Sequence, residues 1–276
     1  VIHSESKTGF PMSSIDLTGV SDIILPSFKW TGSGPLYEGY GDPDNPVDGS
    51  TYGIKVKTSK MFSLVDPNIS RVANGIDVSQ TPTWQDGGSI RGGRVSHCYR
   101  GLWIHDVGEG VFVSDINVSD CVFGVVVDAG NSNIANGQTT RCSVGLLIDG
   151  GADNVNNAHG SVVGWNSRHN NYNLSCQNVT LGHSLTGCNF IGGQAGSDQG
   201  KIQIYYSKGI MINGGQIAYA DITVDATSQL ILRDVTFRGP VNITVTAGGV
   251  FDAKGCYAMT GAALTLNGVA FSGNTP

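Results

Sequence analysis

Charge is scarce in this sequence of 276 residues: Asp, Glu, Lys and Arg make up only 14% of it. No stretch is basic, and a net charge of −6 excludes a nucleic-acid-binding surface, which needs a basic stripe. No apolar run approaches the roughly 20 residues of a membrane-spanning helix, so no membrane segment is expected. Leu, Glu and Lys are few, which removes the usual material of helices. The six cysteines (98, 121, 142, 176, 188 and 256) include no C-x-x-C pair, so zinc is not expected, nor is any other cofactor. Position 1 is not Met, and no basic-then-apolar leader follows. The chain therefore reads as a fragment or processed form whose targeting signal lay elsewhere.

What is abundant is glycine, 40 residues set between short apolar clusters. The pattern is clearest over 201–268. Ile204, Val224, Val245 and Leu266 fall in one column at steps of 20, 21 and 21. Ile210, Leu230 and Val250 make a second column, and Ile217, Phe237 and Tyr257 a third, both at steps of 20. Short apolar clusters between turn formers are strand signals. Three of them per period of about 20 residues describe one coil of a solenoid, which gains a core only by stacking. A leucine-rich repeat needs a fixed Leu scaffold, and a propeller blade needs about twice the period. The predicted fold is all-β: a single-stranded parallel β-helix over 15–271, with three strands per coil of about 20–23 residues; its right hand is implied only by the resemblance given below. Residues 1–14 are an expected N-terminal arm, and 272–276 a polar C-terminal tail. Loop insertions are expected at 31–53, rich in Gly, Pro and Asp, and at 151–170.

Cys98, Cys121 and Cys142 share one repeat phase. Stacked coils lie about 4.8 Å apart, but parallel Cβ vectors fit disulfide geometry badly. Buried free thiols, assembled in a reducing cytoplasm, are expected. Leu102-Trp103-Ile104, Val125-Val126-Val127, Leu146-Leu147-Ile148, Ile210-Met211-Ile212 and Leu230-Ile231-Leu232 are apolar at every position. Neighbours on a strand point to opposite faces, so an apolar ladder should lie outside the coils. A patch of that size needs a cover, and a symmetric homo-oligomer is the expected one.

These Gly-led apolar triplets followed by Asp or His, with Cys and Asn at turn phases and an opening IDLTGVSDIIL (15–25), resemble the right-handed parallel β-helix of bacteriophage tailspikes. The resemblance is one of architecture within the pectate-lyase-like group and covers roughly 15–270. It implies a homotrimer in the virion, at the phage tail, joined to other tail proteins through an N-terminal part outside this sequence. It also implies a ligand, bacterial surface polysaccharide (O-antigen, capsule or exopolysaccharide), which many members cleave at the bacterial cell surface. It supplies no catalytic residues, and fold alone does not fix function. The Asp-Asp pair and Gly-His-Gly of polygalacturonases are missing, with Gly182-His183-Ser184 in place of the latter. The Asp-Pro-His-Glu of mannuronan epimerases is missing too.

Glycoside hydrolysis needs two carboxyls, about 5 Å apart for retention and about 6.5–9.5 Å for inversion. Aligning the coils puts His105, Asp128 and Asp149 in one column, with Asp106 and Glu109 on the adjoining turn. One of two adjacent carboxyls would titrate high, which suits a general acid. Asp128, Asp149 and Glu109 are the candidate catalytic residues; the competing role for an Asp after a strand is to cap the turn. Candidate sugar-binding residues are Trp165, Arg168 and His169 in the later loop, and Trp30 and Tyr40 at the earlier one. Trp165 could equally plug its own coil, and Asp42 and Asp44 could hold a structural cation. The expected function is a polysaccharide depolymerase acting by hydrolysis. A non-enzymatic receptor-binding fibre domain and a polysaccharide lyase are the alternatives.

Overall fold

The chain forms a parallel β-solenoid, seen in a computed structural model that describes residues 15–32, 51–57, 59, 61–80, 87–106, 110–128, 130–151, 158–193 and 200–270. Among them no helix occurs. Strands visit three parallel sheets in strict rotation, giving sheets of 12, 10 and 10 strands. The first sheet contains Tyr52–Lys57, Asn74–Gln80, Arg100–Asp106, Phe123–Val127, Val144–Asp149 and Tyr172–Gln177. Its last pair, Leu264–Leu266 with Val269–Ala270, is antiparallel.

Each corner has a local cause. Between the second and third sheets the chain turns on one left-handed residue: Asp66, Asp115, Asn136 and Asp234 have φ of 49, 60, 53 and 53°. Asp and Asn tolerate that conformation better than most side chains, and Gly takes the place in other coils. Arg71, His97, Asp120, Arg141 and His169 bend the third sheet back toward the first in the same way. Where first-sheet strands begin, Gly75, Gly101, Gly124 and Gly145 stack. A Cβ on Gly101 would strike the Val118 side chain and come within 2.7 Å of the Gly124 carbonyl oxygen, so the coils close this tightly only around glycine.

Alternate residues of each strand turn inward and merge into one core running the length of the solenoid. Ile54, Ile76, Leu102, Val125, Leu146, Leu174 and Ile202 stack in register and are fully buried. Each contributes roughly 1.5–3 kcal/mol, but only through its neighbours on adjacent coils. The column Ile204, Val224, Val245 is a true register. Its continuation is corrected: Leu266 pairs with Ile243, two residues earlier. Leu230 likewise pairs with Phe251 rather than Val250, and Phe237 with Ala258 rather than Tyr257. One extra residue before Val250 shifts the phase, and a one-residue shift exchanges inside and outside. Val250 and Tyr257 are exposed in consequence.

The 151–170 insertion is also smaller than expected. His159–Val163 and Asn166–Arg168 are regular strands of the second and third sheets. Nor is there one outer apolar ladder. Trp103, Val126 and Leu147 lie outside the first sheet, whereas Met211 and Ile231 lie outside the second. Val126 is only 5% exposed within a single chain.

All six cysteines are buried thiols outside any disulfide. Burial pushes the Cys121 and Cys176 thiols far above their ordinary value and Cys188 to about 11. The thiolate is the reactive form. Native protein at pH 8 should therefore leave a thiol-disulfide reagent such as DTNB unreacted, and denatured protein should titrate all six. Rapid native reaction of several thiols would show that the coils open.

Candidate functional site on the first sheet

The connections of the solenoid are uneven. One residue, Asp66, links Val65 to Pro67 at the corner between the second and third sheets. Every described connection between the second and third sheets is one or two residues long, so that corner leaves no room for a site. The outer face of the first sheet carries a connected cluster of polar and aromatic side chains.

The cluster is built on Arg100–Asp106, where outward positions place Arg100, Trp103 and His105 on one face. The Arg100 guanidinium lies 4.3 Å from the Trp103 ring centroid and 5.0 Å from that of Tyr99. His105 stacks on Trp103 with centroids 3.6 Å apart and planes 13° apart. Both ends of this stack are fixed from the preceding coil. Arg100 Nη1 donates to Asn74 Oδ1 at 3.3 Å, and His105 Nε2 lies 2.9 Å from Asp77 Oδ1. The following coil holds the middle: Trp103 Nε1 donates to Asp128 Oδ2 at 3.0 Å. Asp77 is 2% exposed. A carboxylate so buried needs a charge-assisted partner, and His105 supplies it. Tyr52, one coil earlier, carries Lys55 over its ring at 4.8 Å. Its hydroxyl titrates high because of burial and the nearby Asp77 charge, opposed by Arg100.

The expected carboxylate column continues the register of its strands: Val127 pairs with Ile148, and Asp128 and Asp149 follow. The two carboxylates differ in their bonds. Asp149 Oδ1 accepts from Gly151 N at 2.9 Å and from Asn178 Nδ2 at 3.2 Å, the bonds of a turn cap. Asp128 accepts from the Trp103 indole of the central stack. Glu109 and Tyr40 lie outside the described residues.

The expected sugar-binding residues are not brought together with this column. Of the two readings of Trp165, the plug holds and its assignment to sugar binding is corrected. It is fully buried over Gly137, with Nε1 3.4 Å from Thr139 Oγ1, because the segment expected to be a loop is a regular coil whose interior it fills. Arg168 is exposed on the third sheet and donates to Gln138 Oε1 at 3.0 Å. His169 is exposed at the corner after it. Trp30 is half-buried against the core near the start of the third sheet. Sequence reading missed Asp77, Asn74, Arg100 and Tyr52. The available signal was Asp77 itself, an acid between Ile76 and Val78 in a strand otherwise built for burial.

No protein-family model matches this chain, and neither the curated proteins nor the solved structures compared with it include a significant match. The reading of the site therefore rests on its own chemistry. Among the described residues no group of three or more His, Cys, Asp or Glu side chains is placed to hold a metal ion.

Proposed function

We propose that the chain is the polysaccharide-recognising domain of a phage-tailspike-like homotrimer, binding bacterial surface polysaccharide along the outer face of its first sheet and hydrolysing it with Asp128 and Asp149. The observation that carries this reading is the locked array Asn74–Arg100–Trp103–His105–Asp77, tied to Asp128 through the indole. Rings and planar polar groups held rigidly on a flat sheet suit a ligand with alternating apolar faces and hydroxyls. Their immobility lowers the entropy cost of binding. Exposed Ile24, Met61 and Phe112, which line one cleft on the second sheet, leave apolar surface for neighbouring copies.

A second reading has its own support. The two bonds that make Asp149 a turn cap favour a non-enzymatic receptor-binding domain using the same face. The test is incubation with purified polysaccharides from a panel of bacterial hosts, following reducing ends and unsaturated-uronate absorbance together. Reducing ends alone establish hydrolysis, and Asp128→Asn should then lower turnover at least 100-fold. If Asp149→Asn leaves turnover intact, the carboxylate pair is wrong. Unsaturated product would establish a lyase instead. Binding without either signal establishes the receptor module, and no binding to any member of the panel overturns the proposal.

A further inference from the structure

We infer that the ligand of the first-sheet face is an acidic glycan whose anionic group is held by Arg100. This inference rests on the saccharide reading above and names the class of saccharide. Arg100 is half-buried and held on three sides: by the ring of Tyr99, by the ring of Trp103, and by the amide oxygen of Asn74. Its only hydrogen-bond acceptor among the described residues is thus a neutral amide, and no described carboxylate lies within ion-pair distance of it.

The contrast with the other cationic side chains makes this informative. Arg141 spends its guanidinium on Asp120 through two bonds, at 2.6 and 2.8 Å, and Arg233 reaches Asp252. In the central array itself the nearest buried acid, Asp77, is engaged by His105, not by Arg100. A guanidinium bound by one amide keeps most of its five N–H donors for another acceptor. Its planar fork matches a carboxylate or phosphate through two parallel bonds, and stacking on aromatic rings keeps the fork oriented. Lys55, seated over Tyr52 two strands away, is a second cation with no ion pair among the described residues. In a chain of net charge −6, general electrostatic attraction cannot gather an anion. Recognition has to come from a local, pre-oriented group, and Arg100 is one.

The test uses the whole chain and a set of acidic bacterial polysaccharides, some with uronic acids and some with phosphodiesters, alongside neutral ones. Each acidic polymer is also supplied with its charge removed, by carboxyl reduction or by dephosphorylation. Native protein should bind the acidic forms, lose at least ten-fold in affinity for the neutralised forms, and weaken as salt is raised. Which neutralisation abolishes binding distinguishes carboxylate from phosphate. Arg100→Lys should lose ten-fold or more for the acidic polymer, because a point charge does not replace the fork, while its melting temperature stays within a few degrees of native. Arg100→Met, which keeps the packing on the rings, should bind acidic and neutralised forms alike. Equal binding of acidic and neutralised polymer by native protein overturns the inference and leaves saccharide binding standing. Unchanged affinity in Arg100→Met does the same. Binding of no polymer overturns both.

Discussion

Trp165→Ala is expected to destabilise the solenoid by about 3–5 kcal/mol, the range for emptying a large buried aromatic site. Trp165 is fully buried and is among the largest side chains in the core. Its cavity would open where one coil rests on the next, and such interfaces carry the stability of a stacked-coil protein. The site is also set from the neighbouring coil. A Cβ on Gly137 would collide with Trp165 Cζ3 and come within 2.6 Å of the Ile116 carbonyl oxygen. Gly137→Ala should therefore destabilise by about 1–3 kcal/mol, the usual cost of overpacking. Adding Trp165→Leu should recover part of that loss through the shared space, but not the part due to Ile116, whose oxygen belongs to the backbone. Equilibrium denaturation of the two single variants and the double variant measures the coupling. Additive losses would mean that the indole does not press on Gly137.

This pair shows what the sequence could and could not convey. The rotation of strands through three sheets was legible because its cause is local: apolar clusters separated by turn formers at a nearly constant period. The glycines that lead the apolar triplets, Gly101, Gly124 and Gly145, lie near the starts of first-sheet strands. Trp165 was legible only as one of two equal readings, groove or plug, because its segment, GSVVGWNSRHN, has more polar residues than a typical coil. Two of the polar residues, Ser167 and Asn170, turn out to be buried and bonded inside. Asn170 accepts from Cys142 N at 2.8 Å and donates to Ser167 Oγ at 3.0 Å and Asn173 Oδ1 at 3.1 Å, all within the solenoid. A buried polar network is indistinguishable from a surface loop when only composition and period are read. Register failed at Val250 and Tyr257 for a related reason. A single extra residue leaves the spacing of large side chains almost unchanged while reversing the face they occupy.

The candidate site was half legible. Stacking coils in register brought His105, Asp128 and Asp149 into one column from spacing alone. The contacts that organise the face run diagonally instead. His105 is opposite Ser79 in the ladder but bonds Asp77, two residues back, and Asp128 bonds Trp103 by the same offset. Diagonal neighbours on a sheet are within reach only of long or aromatic side chains. Column alignment therefore finds small acids and misses the rings that connect them. Trp103 was read as part of an outer apolar ladder; the structure gives it His105 on its ring, Arg100 near its centroid and Asp128 on its nitrogen.

His183 gives the fold a response to acid that one substitution can isolate. It points into the solenoid on the second sheet, in register with Ile210, and is 4% exposed. Nδ1 lies 3.4 Å from the Ala158 carbonyl oxygen, and Nε2 has no hydrogen-bond partner among the described residues. Burial lowers its pKa from 6.5 to about 4; the Ala158 bond opposes the shift, and the neighbouring His159 adds to it. Between those values the unfolded chain binds a proton that the folded chain refuses, so stability falls as pH falls. The contribution is fully present above about pH 6.5 and is lost as pH drops to about 4. Two and a half pKa units amount to about 3 kcal/mol at most. His183→Leu keeps an apolar group in the position and removes the titration. Carboxylates held below their ordinary value, such as Asp120, where burial raises the carboxyl but the Arg141 and Ser119 bonds outweigh it, lose their contribution at lower pH and do so equally in both proteins. The difference in unfolding free energy between native protein and His183→Leu should change by about 3 kcal/mol between pH 7 and pH 4, in the variant's favour on the acid side. Parallel curves across that window would place the imidazole in contact with water and remove His183 from the acid response of the fold.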